Sequence, residues 1–570
     1  MLNHKFIIDK LSEAQKISIL SDVRKLSSEE YTKLGIPPFN ISAVEEYCKD
    51  LYPSPASLSN SWNPGLIADL AFDMGMRMTG ENINAAYVPS SVARLGIFDF
   101  ALTEDPYLSA KISAEYLNSM SRAGIAPILD GALLDENDVA SLDKTVNRKL
   151  LNEFVIRPLY NTVNGTRCNG VVVGSDIDVK GYERVNSEII EKISNSDGKA
   201  FDNAYILCKN IQPDETVERI VKGHICLDGS ETVLKVAIDR YKRLKSLIGK
   251  GKVSVCELEA EIESGNAFAP EKIDEAVDRV LSFAFACAEN NKEPSASHPV
   301  NEVALKNAVY ESTVLLKNNA NILPLNSSSP VAVIGDILVN YNCDEEDKSA
   351  AVSDIMSYMR ACGCDANLYL RGYSMLSERN DAMISAFPNA LVNNDTVILF
   401  MGMTHEGDQK AIRTQNLYLP ANQIAAVDKL RSLGKKIIAV VSSDIPFDVS
   451  FADQVDALML APLNTRYSAQ AVIDIITGRQ SPRGKLSKSL YKDTEHISKK
   501  QRYYLNMPKT KVGTFIGYRY FCVQWKRRNR GRGKGCRNYG GNRAVQCRGC
   551  STRSGTVLLC GYEASRRKTD

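Results

Sequence analysis

Gly170-Val171-Val172-Val173-Gly174-Ser175-Asp176 sets three valines between two glycines and ends on a carboxylate. Branching at Cβ stiffens valine and suits it to a pleated, packed surface. A run this short therefore predicts a buried strand and not a helix. Helical patterning precedes it in Asp105–Met120 and follows it in Ser187–Ile193. Short apolar runs alternate with such segments throughout residues 1–240, which predicts a parallel α/β sheet or barrel.

Farther along, residues 230–290 read as mostly helical. Pro270 sits near a helix start, and Ile273, Val277, Val280, Leu281 and Ala284 then recur on one helical face that must be buried. The stretch Glu289–Val300 carries Pro, Ser and Asn without periodicity and reads as a linker. A second α/β unit follows, with strands expected at Val331–Ile334, Thr396–Met401, Lys436–Val441 and Ala457–Leu460. The amphipathic helix Asn422–Leu433 lies among them and Gly434 ends it. This is the pattern of a doubly wound sheet, whose ligands sit beyond the carboxyl ends of its strands.

Of the 570 residues, 44% are hydrophobic and 24% charged, which excludes collagen, coiled coil and wholesale disorder. The net charge of +2 hides an asymmetry. The last 50 residues hold 13 Lys and Arg against 2 Asp and Glu, leaving 57 basic and 66 acidic residues before them. The start, MLNHKFIIDKLSEAQ, lacks an apolar core of signal-peptide length, and the run Val280–Ala288 is too short to span a bilayer. Nine of the 14 cysteines are scattered without framework spacing, so reduced thiols and a cytoplasmic setting are expected.

Several stretches in order resemble glycoside hydrolase family 3, the β-glucosidase family. Glu311-Ser-Thr-Val-Leu-Leu-Lys317, Leu323-Pro-Leu325 and Val331-Ala-Val-Ile-Gly335 are similar to the start of its α/β sandwich domain. Asp444-Ile-Pro-Phe-Asp448, Ala452–Ala457, Gly478–Leu486 with its Pro-x-Gly-Lys-Leu turn, and Gly517-Tyr-Arg-Tyr520 continue the likeness. In the first part, Tyr52–Pro55, Ser61–Pro64 and Thr103–Ser109 resemble barrel-domain landmarks. The resemblance implies an (β/α)8-like barrel followed by an α/β sandwich. The expected layout is a barrel over 1–240, a helical connector and linker over 241–301, the sandwich over 302–495, a lead-in over 496–520 and a tail over 521–570. The chain is short twice between Leu151 and Asp176, so the barrel is expected to be incomplete.

The same resemblance implies a retaining glycosidase, with one carboxylate as nucleophile from the first domain and one as acid/base from the second. Such carboxyl groups stand roughly 5–5.5 Å apart. Asp176 is the expected nucleophile, with Asp178 its rival, because a carboxylate just past a barrel strand's C-terminal end sits on the rim where the loops gather. Glu406, in Met403-Thr-His-Glu406-Gly407-Asp408, is the expected acid/base. Tyr160, in Tyr160-Asn161-x-x-Asn164-Gly165, resembles a family tyrosine that lies near the nucleophile. No cofactor is implied, and the expected partner is a small β-linked glycoside or oligosaccharide.

Three departures stand out. Family members commonly grip sugar hydroxyls with a Lys-His pair, where this chain has Leu129-Asp130-Gly131. Ile97 takes the place of an expected arginine. Asn40-Ile-Ser-Ala stands where an Asp-Gly-Pro signature is expected. Asp130 is thus the expected replacement contact, and a catalytically impaired or carbohydrate-binding relative is the alternative reading. The tail supports three readings: nucleic-acid binding through Arg and Gly with Trp525 and Tyr539, a zinc knuckle on Cys536, Cys547, Cys550 and Cys560, or out-of-frame translation. The third is preferred, so nucleic acid is not an expected partner. The five histidines never fall at metal-ligand spacing, so no metal is expected. A dinucleotide-binding opening at Val331–Asp336 lacks its later glycines, and no Gly-x-Ser-x-Gly elbow occurs.

Overall fold

The computed structural model describes residues 2–48, 51–91, 102–130, 152–174, 204–209, 211–289, 299–325, 330–339, 345–375, 381–403, 417–464, 466–490, 550–551 and 557–558. The chain forms two compact units. The first comprises Met1–Glu46, Pro64–Ala93 and Ser109–Pro299, and the second Tyr47–Asn63, Arg94–Leu108 and Val300–Asp570. Of the tail, the description covers only an antiparallel pairing of Cys550–Ser551 with Val557–Leu558. The zinc-knuckle and nucleic-acid readings otherwise lie outside the described residues.

The first unit is built on six parallel strands in sequential order: β1 (Ile41–Ala43), β2 (Ala85–Val88), β3 (Ala126–Asp130), β4 (Gly170–Val173), β5 (Tyr205–Cys208) and β6 (Ile225–Cys226). Every crossover steps one strand in the same direction, as barrel winding does. Among the described residues β6 and β1 are not paired, so the sheet is an open half-barrel. The short connections around Leu151–Asp176 do not interrupt it, because β4 pairs directly with both β3 and β5. All four residues of β4 are buried, as the valine run predicts.

The helices of this unit include α1 (Glu13–Ser21), α2 (Pro64–Gly80), α3 (Pro106–Ala123, within this unit from Ser109 on), α4 (Arg157–Val163), α5 (Glu215–Val221), α6 (Glu231–Ile248), α7 (Val255–Glu263) and α8 (Ile273–Glu289). The predicted apolar face of α8 is buried, with Phe283 and Cys287 added to it. Phe283 packs at 5.2 Å between ring centroids on both Phe39, just before β1, and Tyr205, which opens β5. Asn169, just before β4, donates to the Ala286 carbonyl at 3.4 Å. Helix α8 thus covers the N-terminal ends of β1, β4 and β5, which leaves the C-terminal rim as the place for chemistry.

The second unit holds β7 (Val314–Asn318), β8 (Val331–Ile334), β9 (Ala366–Leu370), β10 (Thr396–Gly402), β11 (Lys436–Ser442) and β12 (Ala457–Leu460), in the order β7-β12-β11-β10-β8-β9. Four of the six were expected from their apolar runs. Five strands are parallel, and β7 lies antiparallel on the β12 edge. Read from β8 onward this is the 2-1-3-4-5 doubly wound order, with its switch point between β8 and β10. Its helices include α9 (Glu302–Ser312), α10 (Glu345–Ala361), α11 (Ala421–Ser432) and α12 (Arg466–Ile476). Among the described residues, no helix of either unit is long and apolar enough to cross a membrane.

Two segments from early in the chain complete the second unit by gripping residues 485–489. The Asn60 carbonyl accepts from Lys485 N–H at 2.8 Å, and its Oδ1 accepts from the Ser487 N–H and Oγ at 3.0 Å each. Thr103 Oγ1 donates to the Ser487 carbonyl at 2.7 Å, and the Glu104 carboxylate accepts from Ser489 N–H and Oγ at 3.0 and 2.9 Å. Asn60 and Ser487 are buried, so a lost partner leaves a donor without water. Asn60→Ala is expected to cost about 1–3 kcal/mol, read as a fall in thermal midpoint. An unchanged midpoint would show that this grip does not stabilise the unit.

Candidate active site

At the C-terminal rim of the first sheet, four of the six strands present Glu45 two residues after β1, Tyr87 in β2, Asp130 as the last residue of β3, and Lys209 just after β5. Lys209 Nζ lies 4.9 Å from the centre of the Tyr87 ring, a cation over an aromatic face. Burial pushes the Tyr87 phenol up, with the Arg24 cation opposing and the Asp130 charge adding to the shift. The Glu45 side chain keeps solvent contact, yet the protein around it removes enough water to push its carboxyl up to about 7. Its own backbone N–H opposes that shift, Asp130 adds to it, and Lys209 pulls it back. The rim therefore combines two carboxyl groups, an ammonium and a phenol, a donor and acceptor set suited to a polyhydroxylated ligand.

Behind the rim, the exit of β4 is anchored by an arginine. Arg219, on α5, is fully buried. Its Nε and Nη2 donate to Glu215 Oε2 at 3.2 and 2.9 Å, and Nη2 reaches the Gly174 carbonyl at 3.4 Å. Gly174 is the last described residue before Ser175 and Asp176.

In the second unit, the switch-point strands both end in glycines that no other residue could replace. Gly335 follows β8 with φ +137°, and a Cβ there would lie 2.4 Å from the Phe400 carbonyl oxygen. Gly402 closes β10 with φ +141°, and its Cβ would lie 2.0 Å from the Ser442 carbonyl oxygen. Around them, Asp336 accepts from Arg371 Nε and Nη2 at 2.8 and 3.1 Å and from the Met375 N–H at 2.9 Å. The buried Tyr373 hydroxyl donates to the Phe400 carbonyl at 2.7 Å. Gln423, on α11, holds Gly402 by both backbone groups, at 2.8 Å each.

Of the expected site residues, Asp130 stands on the rim. Leu129 beside it is fully buried in β3. Tyr160 is half-buried in α4, a short helix that delivers the chain to the N-terminal end of β4. Asp176, Asp178 and Glu406 lie outside the described residues, as do Ile97 and Gly131. Sequence reading missed Glu45, Tyr87, Lys209, Arg219 and Gln423. Strand-end position would have flagged Lys209, but Arg219 and Gln423 sit in helices, where such residues usually face solvent.

Residues 313–521 match the glycosyl hydrolase family 3 C-terminal domain, and the match ends where the basic tail begins. The thermostable beta-glucosidase B of Acetivibrio thermocellus is 24% identical over 556 residues, covering 91% of this chain and 70% of that protein. An exo-alpha-(1->6)-L-arabinopyranosidase of Bifidobacterium breve is 22% identical, covering 82% of this chain and 62% of that one. The chain thus spans about two thirds of the length of these relatives. The crystal structure of a family 3 beta-glucosidase from Bifidobacterium adolescentis superposes with a TM-score of 0.65 at 17% identity, over 91% of this chain and 76% of that one. Strand order, the ordered run of motifs and these matches converge: residues 313–521 match the family 3 C-terminal domain, and the chain as a whole is similar to family 3 beta-glucosidases.

Proposed function

We propose that the chain hydrolyses terminal β-glycosidic bonds of small glycosides by a retaining, two-carboxylate mechanism. Asp176 attacks the anomeric carbon while Glu406 protonates the departing oxygen. Glu406 then takes a proton from the water that releases the sugar, and Asp176 leaves. The observation that carries this reading is where the two segments depart. Asp176 is three residues beyond the end of a barrel-type strand, and Glu406 is four residues beyond the glycine at a doubly wound switch point. The names of the relatives support glycoside hydrolysis as the reaction class.

One observation favours a second reading, a non-catalytic carbohydrate-binding relative: buried Leu129 removes a contact to sugar hydroxyls, leaving Asp130 to provide one. A buried hydrogen bond to a charged group is worth about 1.5–3 kcal/mol, or roughly ten- to 150-fold in binding. A panel of chromogenic aryl β-glucosides, β-xylosides and α-arabinosides given to the purified full chain decides between them. Turnover of one or more with retention of anomeric configuration supports the hydrolase. No turnover on any, with sugar binding by calorimetry, supports the second reading.

A further inference from the structure

We propose that Lys209 is a specificity-determining residue of the rim: its ammonium, lying across the exits of β3 and β4, donates to one hydroxyl of a neutral sugar while Asp130 accepts from the next. The inference rests on the reading that this rim takes the sugar. Side chains alternate between the two faces of a strand, so register decides which of them meet. Tyr87 pairs with Ile128, Asp130 with Val172, and Val172 with Leu207. Asp130 lies two residues beyond Ile128, and Lys209 two beyond Leu207, with the ladder continued by the Lys209 N–H donating to the Val173 carbonyl at 3.0 Å. Tyr87, Asp130 and Lys209 therefore share one face of the sheet. Gly170 marks the same face, since a Cβ there would lie 2.3 Å from Leu207 Cδ1 and 3.7 Å from Ile128 Cγ2. At the other end of this face Tyr205 packs on Phe283 of α8.

Three strand spacings, about 14 Å, separate β5 from β2 along the sheet. Lys209 Nζ nevertheless lies 4.9 Å from the centre of the Tyr87 ring. The two side chains thus lean toward each other across the exits of β3 and β4, where Asp130 ends β3 and Gly174 adds no side chain. Lys209 and Asp130 are both half-buried, so each keeps contact with solvent. Among the described residues, no carboxylate stands within ion-pair distance of Lys209 Nζ. An aromatic face offsets the charge but offers no lone pair, so the ammonium keeps its donors available to a ligand. The charge also reaches Glu45, whose carboxyl burial raises and Lys209 pulls back. An ammonium that donates beside a carboxylate that accepts suits two neighbouring hydroxyls of one ring. The Glu45 and Asp130 carboxyls around it disfavour an anionic sugar.

The test crosses Lys209→Met with a nitrophenyl β-glucoside and its monodeoxy derivatives, on the full chain, with folding checked by circular dichroism. A hydrogen bond to a charged group is worth roughly ten- to 150-fold. One monodeoxy derivative is therefore expected to lose that factor in kcat/KM on the parent chain, but only about twofold on Lys209→Met, the scatter of independent sites. A merely structural role would lower every derivative alike and leave the cost of each missing hydroxyl unchanged. That result overturns the proposal, as does a nitrophenyl β-glucuronide that outperforms the glucoside on the parent chain. If Lys209→Met fails to fold, Lys209→Ala decides by the same criterion. If the parent chain binds these glucosides without turnover, dissociation constants from calorimetry take the place of kcat/KM in the same comparison. If it neither binds nor turns over any of them, the sugar reading of the rim itself falls, and the inference with it.

Discussion

Asp176→Ala is expected to lower kcat/KM on aryl β-glucosides by about four orders of magnitude or more, the scale on which loss of a covalent nucleophile is felt. In the retaining route the carboxylate forms the bond that the second half-reaction breaks, so no neighbouring group can share the work in part. Asp178→Ala should leave most of the activity in place, because only one carboxylate can face the anomeric carbon. Azide gives a sharper readout than rate alone. Attacking in place of the missing carboxylate, it should restore turnover of the alanine variant and yield the α-glycosyl azide, the product of a single inversion. The Glu406→Ala variant should instead give the β-glycosyl azide, because there azide replaces the water of the second step. A fully active Asp176→Ala, or an inactive Asp178→Ala with the α-azide rescue, moves the nucleophile to the other aspartate.

The strands that sequence reading found share one property: they are buried on both faces. Val331–Ile334, Gly170–Val173 and the core of β10 and β11 are unbroken apolar runs because helices cover both sides of a parallel sheet. Several of the strands it missed are edge pieces. In β9, Ala366 is buried while the next residue is exposed and the last three are only half-buried, so no such run exists. Strand β1 is three half-buried residues and β6 only two, too short for any periodicity to register. The grip of Asn60, Thr103 and Glu104 was not legible, because their partners, Ser487 and Ser489, lie 384 to 427 positions away. Catalytic candidates were legible only through the family resemblance, since an isolated aspartate after a strand is also an ordinary cap or loop residue. The anchors were not legible at all, because an Arg or Gln inside a helix shows its burial only once the sheet beneath it is known.

Arg219→Met is expected to destabilise the first unit by about 3–5 kcal/mol, the range found when one partner of a buried ion pair is removed. Arg219 is 0% exposed as a residue, and the Glu215 side chain is 18% exposed. Methionine fills much of the same volume, so the loss comes from charge left behind and not from a cavity. The Glu215 carboxylate loses both guanidinium donors, and the Gly174 carbonyl loses its contact. Arg219→Lys should recover little of this, because a single ammonium cannot reproduce a fork that meets Glu215 through Nε and Nη2 while touching Gly174. Arg219→Met with Glu215→Leu removes both charges together and should return most of the lost stability, since an apolar replacement of a buried pair is often neutral. Thermal melts of the three variants test the ion-pair account, and equal midpoints for the single and double variants would refute it. Activity separates the second role. The double variant regains its fold but still lacks the hold on Gly174, two residues before Asp176, so its kcat should stay below that of the parent chain while its melting midpoint recovers.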